Sequence, residues 1–322
     1  MRHIVLLGLL FICISISYSE LQARVIEDMI GRSVQVPEDI ERIASPYRVA
    51  TDMVFALAQQ KKLIAVSNKS PSRAFKRLCP EHESLQLANR ESSVETFLRL
   101  SPDVVFMRPG SLVSKLEKMG VPVFCLQVET PQTMIDGLIM VSRVLGVPKK
   151  AKRVADYFQK KLEYIQRHTQ NIRPQKKVYF VGSESLFATC GGDFYQDAII
   201  NRAGGINVAH NLRGGWVTVS REHILKWRPD VFVFTPYSHV EKKALFSDPA
   251  LAKLKAVKNE QVYTFPKYLD TWDLPTPESI LGIMWLARKL YPGQIKWDIR
   301  EEAKYFYTHF YGGYPIKLQL VD

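Results

Sequence analysis

Short runs of consecutive apolar residues recur along the chain, and stretches with helical spacing separate them. Three such runs are Leu63–Val66, Val104–Met107 and Val121–Leu126. Continuous apolar runs of this length are typical of parallel strands that helices cover on both faces. The helical stretches between them include Ala50–Gln60 and Leu112–Lys118. This alternation predicts an α/β fold built on mainly parallel sheets.

One segment of the chain occurs twice. Residues 93–106 read Ser-Val-Glu-Thr-Phe-Leu-Arg-Leu-Ser-Pro-Asp-Val-Val-Phe, and residues 220–233 read Ser-Arg-Glu-His-Ile-Leu-Lys-Trp-Arg-Pro-Asp-Val-Phe-Val. In each copy a Glu opens a predicted helix, a Pro follows seven residues later, and an Asp then leads into a strand. Pro ends the helix and Asp favours the turn. Two copies of one helix-to-strand unit predict two lobes of related design.

The segment between the two copies has a different pattern. Thr133–Leu145 is predicted as one helix, and Lys149–Gln170 as a second helix with an apolar stripe. The second helix spans about 33 Å and could join two lobes as a stiff spine, although a surface helix of the first lobe would have the same pattern. The predicted division is a signal peptide (1–23), an N-terminal α/β lobe (24–145), an interlobe helix (146–172) and a C-terminal α/β lobe (173–322).

The first residues have the layout of a secretory signal peptide. Arg2 and His3 precede the apolar run Ile4–Ile14, and small and polar residues follow as far as Ser19. The run is shorter than the roughly 20 residues that a transmembrane helix needs. Cleavage after Ser19 and cleavage after Ala23 both fit the pattern. We therefore expect an exported, soluble protein.

The cysteines bear on anchoring and on disulfide pairing. Phe11 and Ile12 are too bulky for the usual lipid-attachment motif, which argues against a lipid anchor at Cys13. Removal of the signal leaves an odd number of cysteines, which cannot all pair within one chain. Their pairing state is left open: Cys79, Cys125 and Cys190.

Composition, charge and the absence of known motifs limit the classes of function that the chain could have. The 322 residues are 46% hydrophobic and 24% charged, as in ordinary folded proteins. A formal net charge of +12 would suit nucleic acid, anionic lipid or an anionic small ligand. No nucleic-acid motif accompanies the charge, which argues against that partner. Catalytic motifs such as Gly-x-Ser-x-Gly and His-Glu-x-x-His do not occur, which argues against an enzyme; no cofactor is expected.

Several segments, in order, resemble the periplasmic substrate-binding proteins of ABC importers for ferric siderophores, haem and vitamin B12. They are the hairpin-like Ile26–Pro37, the strand Arg42–Ala44, both repeats, Gly191–Asp197, Ala203–Ala209, Trp216, Trp272–Glu278 and Leu290–Pro292. The last two resemble the branch of iron- and metal-complex receptors. The resemblance implies two Rossmann-like lobes joined by a single long helix, with the ligand in the cleft between the lobes.

The same resemblance implies a cargo and a partner. The expected ligand is an iron chelate, either a siderophore or haem, and the expected partner is an inner-membrane ABC permease to which a monomeric receptor delivers it. Cobalamin and a nickel or cobalt complex are alternative cargoes, and an exported chelatase-like enzyme is a more distant alternative. A bare-ion receptor would spread several His and carboxylate ligands over both lobes, a pattern that the six histidines downstream of the signal region do not show. Whether the protein ligates the metal directly is left open.

Candidate ligand residues follow from the rule that ligands bind beyond the carboxyl ends of strands in open α/β sheets. Residues directly after predicted strands include Tyr47, Arg48, Arg108, Tyr237, His239, Lys267 and Tyr268. An anionic, partly planar chelate favours aromatic faces and Arg or Lys donors, with Tyr or His as possible metal ligands. The selected ligand-binding residues are Tyr47, Arg108, Tyr195, Trp216, Tyr237, His239, Tyr268 and Trp272.

Glu95 and Glu222 are the acidic residues that open the two repeat helices. A carboxylate is favoured at a helix N-terminus, so capping accounts for part of their placement. In the family that the chain resembles, one Glu on each lobe contacts the permease, seven residues before the Pro as in this chain. The resemblance therefore implies that Glu95 and Glu222 are permease-docking residues.

Overall fold

The computed structural model describes residues 23–68, 73–89 and 91–312. The predicted signal peptide, apart from Ala23, and the disfavoured lipid-anchor position Cys13 lie outside these residues. The described chain opens with an antiparallel hairpin of β1 (Ala23–Glu27) and β2 (Ser33–Pro37). Asp28 fixes the turn, because its carboxylate accepts from the backbone and side chain of Arg32. The same carboxylate accepts from the backbone N–H of Cys125 at 3.1 Å, which ties the hairpin to the first sheet.

The first lobe is built on a parallel five-stranded sheet. Its strands are β3 (Ile43–Ser45), β4 (Leu63–Ser67), β5 (Gln86–Ala88), β6 (Val104–Met107) and β7 (Val123–Cys125), in the spatial order β5-β4-β3-β6-β7. Its helices are α1 (Arg48–Ala56), α2 (Arg73–Leu78), α3 (Val94–Leu100), α4 (Ser111–Lys118) and α5 (Pro131–Val144). Short 3₁₀ turns cover Gln60–Lys62 and Pro80–Ser84.

After the helix α6 (Pro148–Thr169), the second lobe repeats this plan with four parallel strands. They are β8 (Lys177–Val181), β10 (Ile206–Asn207), β12 (Val231–Phe234) and β13 (Val262–Thr264), in the order β10-β8-β12-β13. A separate antiparallel pair joins β9 (Ala188–Cys190) and β11 (Trp216–Thr218). The helices are α7 (Tyr195–Arg202), α8 (Arg221–Trp227), α9 (Lys242–Ser247), α10 (Lys255–Lys258), α11 (Ser279–Leu290) and α12 (Ile299–Phe310), with a 3₁₀ turn at Leu251–Lys253.

The long helix α6 connects the two sheets. It packs against α5 on the side of the first lobe and against α7 and α11 on the side of the second. Tyr157 and Lys161 of α6 both donate to Glu302 of α12, so the C-terminal helix also braces α6. The fold class predicted from the sequence, two α/β lobes joined by one long helix, is confirmed. The exact lobe boundaries remain predictions.

The sequence repeat corresponds to a structural repeat. The helices α3 and α8 both follow a serine N-cap, and both end at a residue in the left-handed region, Ser101 (φ 44°) and Arg228 (φ 48°). Asp103 then accepts from the backbone N–H of Arg42, and Asp230 accepts from that of Lys177. Each Asp thus anchors the loop before a central strand to the start of the neighbouring strand.

The central strands divide their side chains between two cores. In β6, Val104 and Phe106 face the core that both lobes share, whereas Val105 and Met107 face a core under α3 and α4. The strand β12 divides its side chains in the same way. This burial on both faces explains the continuous apolar runs. No helix among the described residues is long and apolar enough to cross a bilayer.

Candidate functional site

The carboxyl ends of the two sheets meet at one place. The loop after β3 contributes Tyr47 and Arg48 from the first lobe, and the loops after β12 and β13 contribute Tyr237, Lys267 and Asp270 from the second. Contacts among these residues cross between the lobes, as the Arg48–Asp270 ion pair shows. We call this meeting place the cleft. It lies where open α/β sheets bind their ligands.

Arg48 is the residue that links the two sides of the cleft. Its Nε lies 2.8 Å from Asp270 Oδ2, and its guanidinium carbon lies 5.2 Å from the ring centre of Tyr237. The Tyr237 hydroxyl donates to Asp270 Oδ1 at 2.9 Å, and Lys267 Nζ lies 5.7 Å from the same ring. The side chain of Asp270 is only 4% exposed and that of Arg48 is 21% exposed. The ion pair is therefore largely shielded from water.

Arg108 forms a second, more open ion pair within the first lobe. Its Nη2 lies 2.8 Å from Glu129 Oε1, with the two side chains 56% and 39% exposed. The guanidinium carbon also lies 5.9 Å from the ring centre of Tyr47. Burial raises the pKa of Tyr47 to about 12, so its hydroxyl is protonated at neutral pH. The predicted residues Tyr47, Arg108 and Tyr237 thus all lie at the cleft.

Behind Arg48 lies a group of buried carboxyl groups. Asp52 of α1, Asp270 and Glu278 are all buried, and Glu278 Oε2 accepts from the backbone N–H of Asp270 at 3.0 Å. Burial raises the pKa of Asp52 well above its usual range and that of Glu278 to about 8. Burial also raises the pKa of Asp270, against the opposing effect of Arg48. These three carboxyl groups are thus buried where the two lobes meet.

Three further predicted residues lie near the carboxyl edge of the second sheet. Trp216 is 44% exposed, and its ring centre lies 4.9 Å from that of Phe194. His239 is exposed in the loop after β12. Tyr268 is partly buried, with its ring centre 4.4 Å from that of Tyr307. Trp216 offers the largest exposed aromatic face of these three.

Two predicted residues are buried and have almost no surface to offer a ligand. Tyr195 is 3% exposed, and its hydroxyl hydrogen-bonds with Ser279 at 2.8 Å. Trp272 is fully buried, and its Nε1 donates to Tyr307. The helix α11 approaches it so closely that a Cβ on Gly282 would lie 2.2 Å from the Trp272 carbonyl oxygen. Both side chains hold the second lobe together, a role that residue type alone does not reveal.

The two repeat glutamates are exposed at corresponding positions. Each opens a helix that leads directly into the amino end of a central strand, β6 for Glu95 and β12 for Glu222. Hydrogen bonds lower the pKa of both carboxyl groups. For Glu95 the main donor is its own backbone N–H, and for Glu222 it is the hydroxyl of Ser220. Both are therefore anionic at neutral pH.

Some cleft residues were absent from the selected set. Arg48 and Lys267 directly follow strands, so the strand-end rule had pointed to them. Glu129 stands four residues beyond the end of β7 and Asp270 six residues beyond the end of β13, and no local pattern marks them. Within the part of the chain that is described, no three or more His, Cys, Asp or Glu side chains form a group that could hold a metal ion.

Comparison with known proteins identifies the family. The family model described as "Periplasmic binding protein" matches residues 43–269, which include all strands of both parallel sheets. This chain belongs to that family. It is therefore a binding protein rather than an enzyme, and it serves as the periplasmic binding component of an ABC importer. Members of this family bind a small-molecule ligand and work with an ABC permease.

Individual relatives differ in what they bind. The chain is 26% identical over 336 residues to the molybdate-binding protein MolA of Haemophilus influenzae, an alignment that covers 94% of this chain and 96% of that protein. It is 26% identical over 258 residues to a vitamin B12-binding protein of Vibrio parahaemolyticus, covering 77% and 88% of the two chains. A periplasmic solute-binding protein of Veillonella parvula has the same fold, with a TM-score of 0.82, 23% identity, and coverage of 92% and 95%.

Proposed function

We propose that this receptor binds an anionic metal species in the cleft between its lobes and delivers it to its permease. The observation that carries the proposal is the placement of Arg48 and Arg108 at the carboxyl edges of the sheets, each beside a tyrosine ring. With Lys267, three cations face two carboxylates, Glu129 and Asp270, which leaves one net positive charge. Arginine suits an oxyanion or a chelate oxygen because its fork of N–H groups matches such acceptors.

An iron chelate is the cargo that the sequence predicts, and the aromatic residues support it. Trp216 and Tyr237 are both more than 40% exposed, although each also contacts neighbouring side chains, so each keeps aromatic surface free for a ligand. Flat catecholate or porphyrin ligands would cover such faces. His239, exposed beside Tyr237, is the candidate for direct metal ligation in that case.

A tetrahedral oxyanion of the molybdate type is the second candidate cargo. The relative named for molybdate binding aligns with this chain almost from end to end, further than the vitamin B12-binding relative does. An oxyanion of this size needs hydrogen-bond donors rather than aromatic faces, and Arg48, Arg108 and Lys267 supply them. Cobalamin, which is named for other relatives, and a nickel or cobalt complex remain alternative cargoes.

A titration panel tests the cargo. Binding of ferric siderophores, haem, molybdate, cobalamin and nickel–histidine is followed by intrinsic tryptophan fluorescence and by calorimetry. We expect saturable binding of a ferric chelate or of molybdate. Arg108→Ala should weaken that binding by about 1.5–3 kcal/mol, because a charged hydrogen bond is lost. Saturable binding of cobalamin alone, or an unchanged dissociation constant in the variant, would contradict the assignment.

We also propose that Glu95 and Glu222 dock the receptor on the permease. Two lobes of like design present one exposed carboxylate each, at corresponding positions of the sequence repeat. A Glu that meets an Arg of a permease subunit supplies charge complementarity and fixes the register. A two-lobed receptor on a two-subunit permease needs one such contact per lobe.

The docking proposal predicts a loss of transport without a loss of binding. The variant Glu95→Arg with Glu222→Arg should fold and bind ligand normally but abolish uptake through the cognate transporter. The matched control is Glu260→Arg with Glu301→Arg, which makes the same charge change at exposed positions. Glu260 precedes β13 at its amino end, and Glu301 lies in the first turn of α12. Normal uptake by the first variant would contradict docking, and only the stabilisation of the helix N-termini would remain as a role for both residues.

A further inference from the structure

Asp270 holds several groups of the cleft at once. Its carboxylate receives Arg48 Nε at 2.8 Å, the Tyr237 hydroxyl at 2.9 Å and the backbone N–H of Thr271 at 2.8 Å. Arg48 comes from α1 of the first lobe, whereas Tyr237 follows β12 of the second. One buried carboxylate thus holds an arginine of the first lobe and a tyrosine of the second beside each other.

Asp270 is also the carboxyl group that carries the negative charge at the junction. Asp52, Asp270 and Glu278 share this buried region with Arg48 as the nearest cation. Asp52 Oδ2 and Glu278 Oε1 are buried and accept no hydrogen bond from the described residues, so a charge on either oxygen would be poorly stabilised. Asp270 receives three donors, one of them cationic. The negative charge therefore resides on Asp270, and Asp52 and Glu278 stay neutral.

The charges of the two ion pairs of the cleft should act on a bound ligand with different strengths. The side chains of Arg108 and Glu129 are 56% and 39% exposed, so water and salt screen their charges. Asp270 is 4% exposed, and the field of its charge acts on Arg48 with little screening. Removal of each carboxylate charge should therefore affect an anion in the cleft to different degrees.

We infer that Asp270 is a specificity-determining residue: by neutralising Arg48, it sets the ligand charge that the cleft favours. Arg48 then contributes hydrogen-bond donors but no net charge to the site, and Arg108 and Lys267 supply the attraction. Without Asp270 the cleft would favour more highly charged anions. This inference rests on the proposed binding of an anionic metal species.

The test compares two probes that differ in charge but little in shape. If oxyanions bind, the pair is molybdate, with two negative charges, and perrhenate, with one. If chelates bind, the pair is a ferric tris-catecholate, with three negative charges, and a neutral ferric tris-hydroxamate. Calorimetry gives the ratio of the two affinities for the wild type, Asp270→Asn, Glu129→Gln and the double variant Arg48→Gln with Asp270→Asn. Thermal unfolding monitors folding of each variant.

Asp270→Asn should shift the affinity ratio towards the more highly charged probe by roughly tenfold or more. Glu129→Gln should shift it by no more than about threefold, because its pair is screened. The double variant removes a neutral pair and should keep the wild-type ratio within about twofold. Because both charges leave together, it should also fold if the single variant does not.

Three outcomes would count against the inference. An unchanged ratio in Asp270→Asn would reduce Asp270 to a structural residue. If the affinity ratio of the double variant shifted tenfold away from the more highly charged probe, Arg48 would act as a full cation despite Asp270. In both cases the wild type still binds, so the proposed function stands. A wild type that binds none of the probes would refute the proposed function and this inference together.

Discussion

Arg48 and Arg108 both follow a strand of the first lobe, yet their ion pairs belong to different environments. Arg108 pairs with Glu129 in the same lobe and in contact with water. Arg48 pairs with Asp270 of the other lobe, in a region from which water is largely excluded. The exposed pair can exchange partners at little cost, whereas the buried pair must stay intact or leave a charge without compensation. The same residue type at equivalent strand ends thus forms an exposed pair within one lobe in one place and a shielded pair across the lobe junction in the other.

The largest expected difference between the pairs is in stability. Asp270→Ala should lower the free energy of unfolding by about 3 kcal/mol or more, because Arg48 loses the ion-pair partner that it has among the described residues, in a shielded site. Glu129→Ala should lower it by less than about 0.5 kcal/mol. Urea denaturation of both variants and of the wild type measures the difference. Equal losses in the two variants would remove the distinction between the pairs.

The second prediction concerns pH and the carboxyl groups beside the buried pair. Burial raises the pKa of Glu278 to about 8, so the folded protein keeps a proton that the unfolded chain loses above pH 4.5. The stability due to this neutral carboxyl is complete below pH 4.5 and is lost as the pH rises towards 8. For each carboxyl group that keeps its proton only in the folded protein, the free energy of unfolding falls by about 1.4 kcal/mol with every unit rise in pH. We therefore expect Glu278 alone to contribute a loss on the order of 3 kcal/mol between pH 5 and pH 7.5.

Glu278→Gln should flatten this pH dependence, because glutamine is neutral at every pH and its oxygen can still accept from the Asp270 N–H. Denaturant unfolding at several pH values between 5 and 8 checks it. The control is Glu301→Gln, an exposed position that should leave the slope as in the wild type. A wild-type slope in Glu278→Gln would mean that Glu278 is already ionised in the folded protein.

The smallest expected effect is a change of shape on ligand binding. The helix α6 packs on both lobes, α12 braces it, and the Arg48–Asp270 pair links the lobes at the cleft. The radius of gyration from small-angle X-ray scattering should therefore change by less than about 1 Å when ligand binds. In Asp270→Ala the change should be larger, because one link is lost. A decrease of several ångströms in the wild type, as in hinge closure, would contradict a stiff spine.

Much of the fold could be predicted because its elements leave local signals. Strands buried on both faces appear as continuous apolar runs, and Pro and Asp mark the entry to β6 and β12 in both repeats. The long helix was predicted as Lys149–Gln170 and spans Pro148–Thr169, a difference of one residue at each end. The antiparallel pair of β9 and β11 was not predicted, because its strands are three residues long and pair across a long connection.

The sequence by itself determined the two-lobed α/β plan, the family, and the strand ends at which Tyr47, Arg108 and Tyr237 stand. It could not separate cleft residues from core residues among the aromatic candidates, since Trp216 and Trp272 have the same side chain and differ only in what packs on them. Nor could it pair Arg48 with Asp270, which lie 222 positions apart. Local pattern fixes elements, because it depends on neighbours along the chain. Only the tertiary structure decides burial and partnership, because these depend on which distant segments meet.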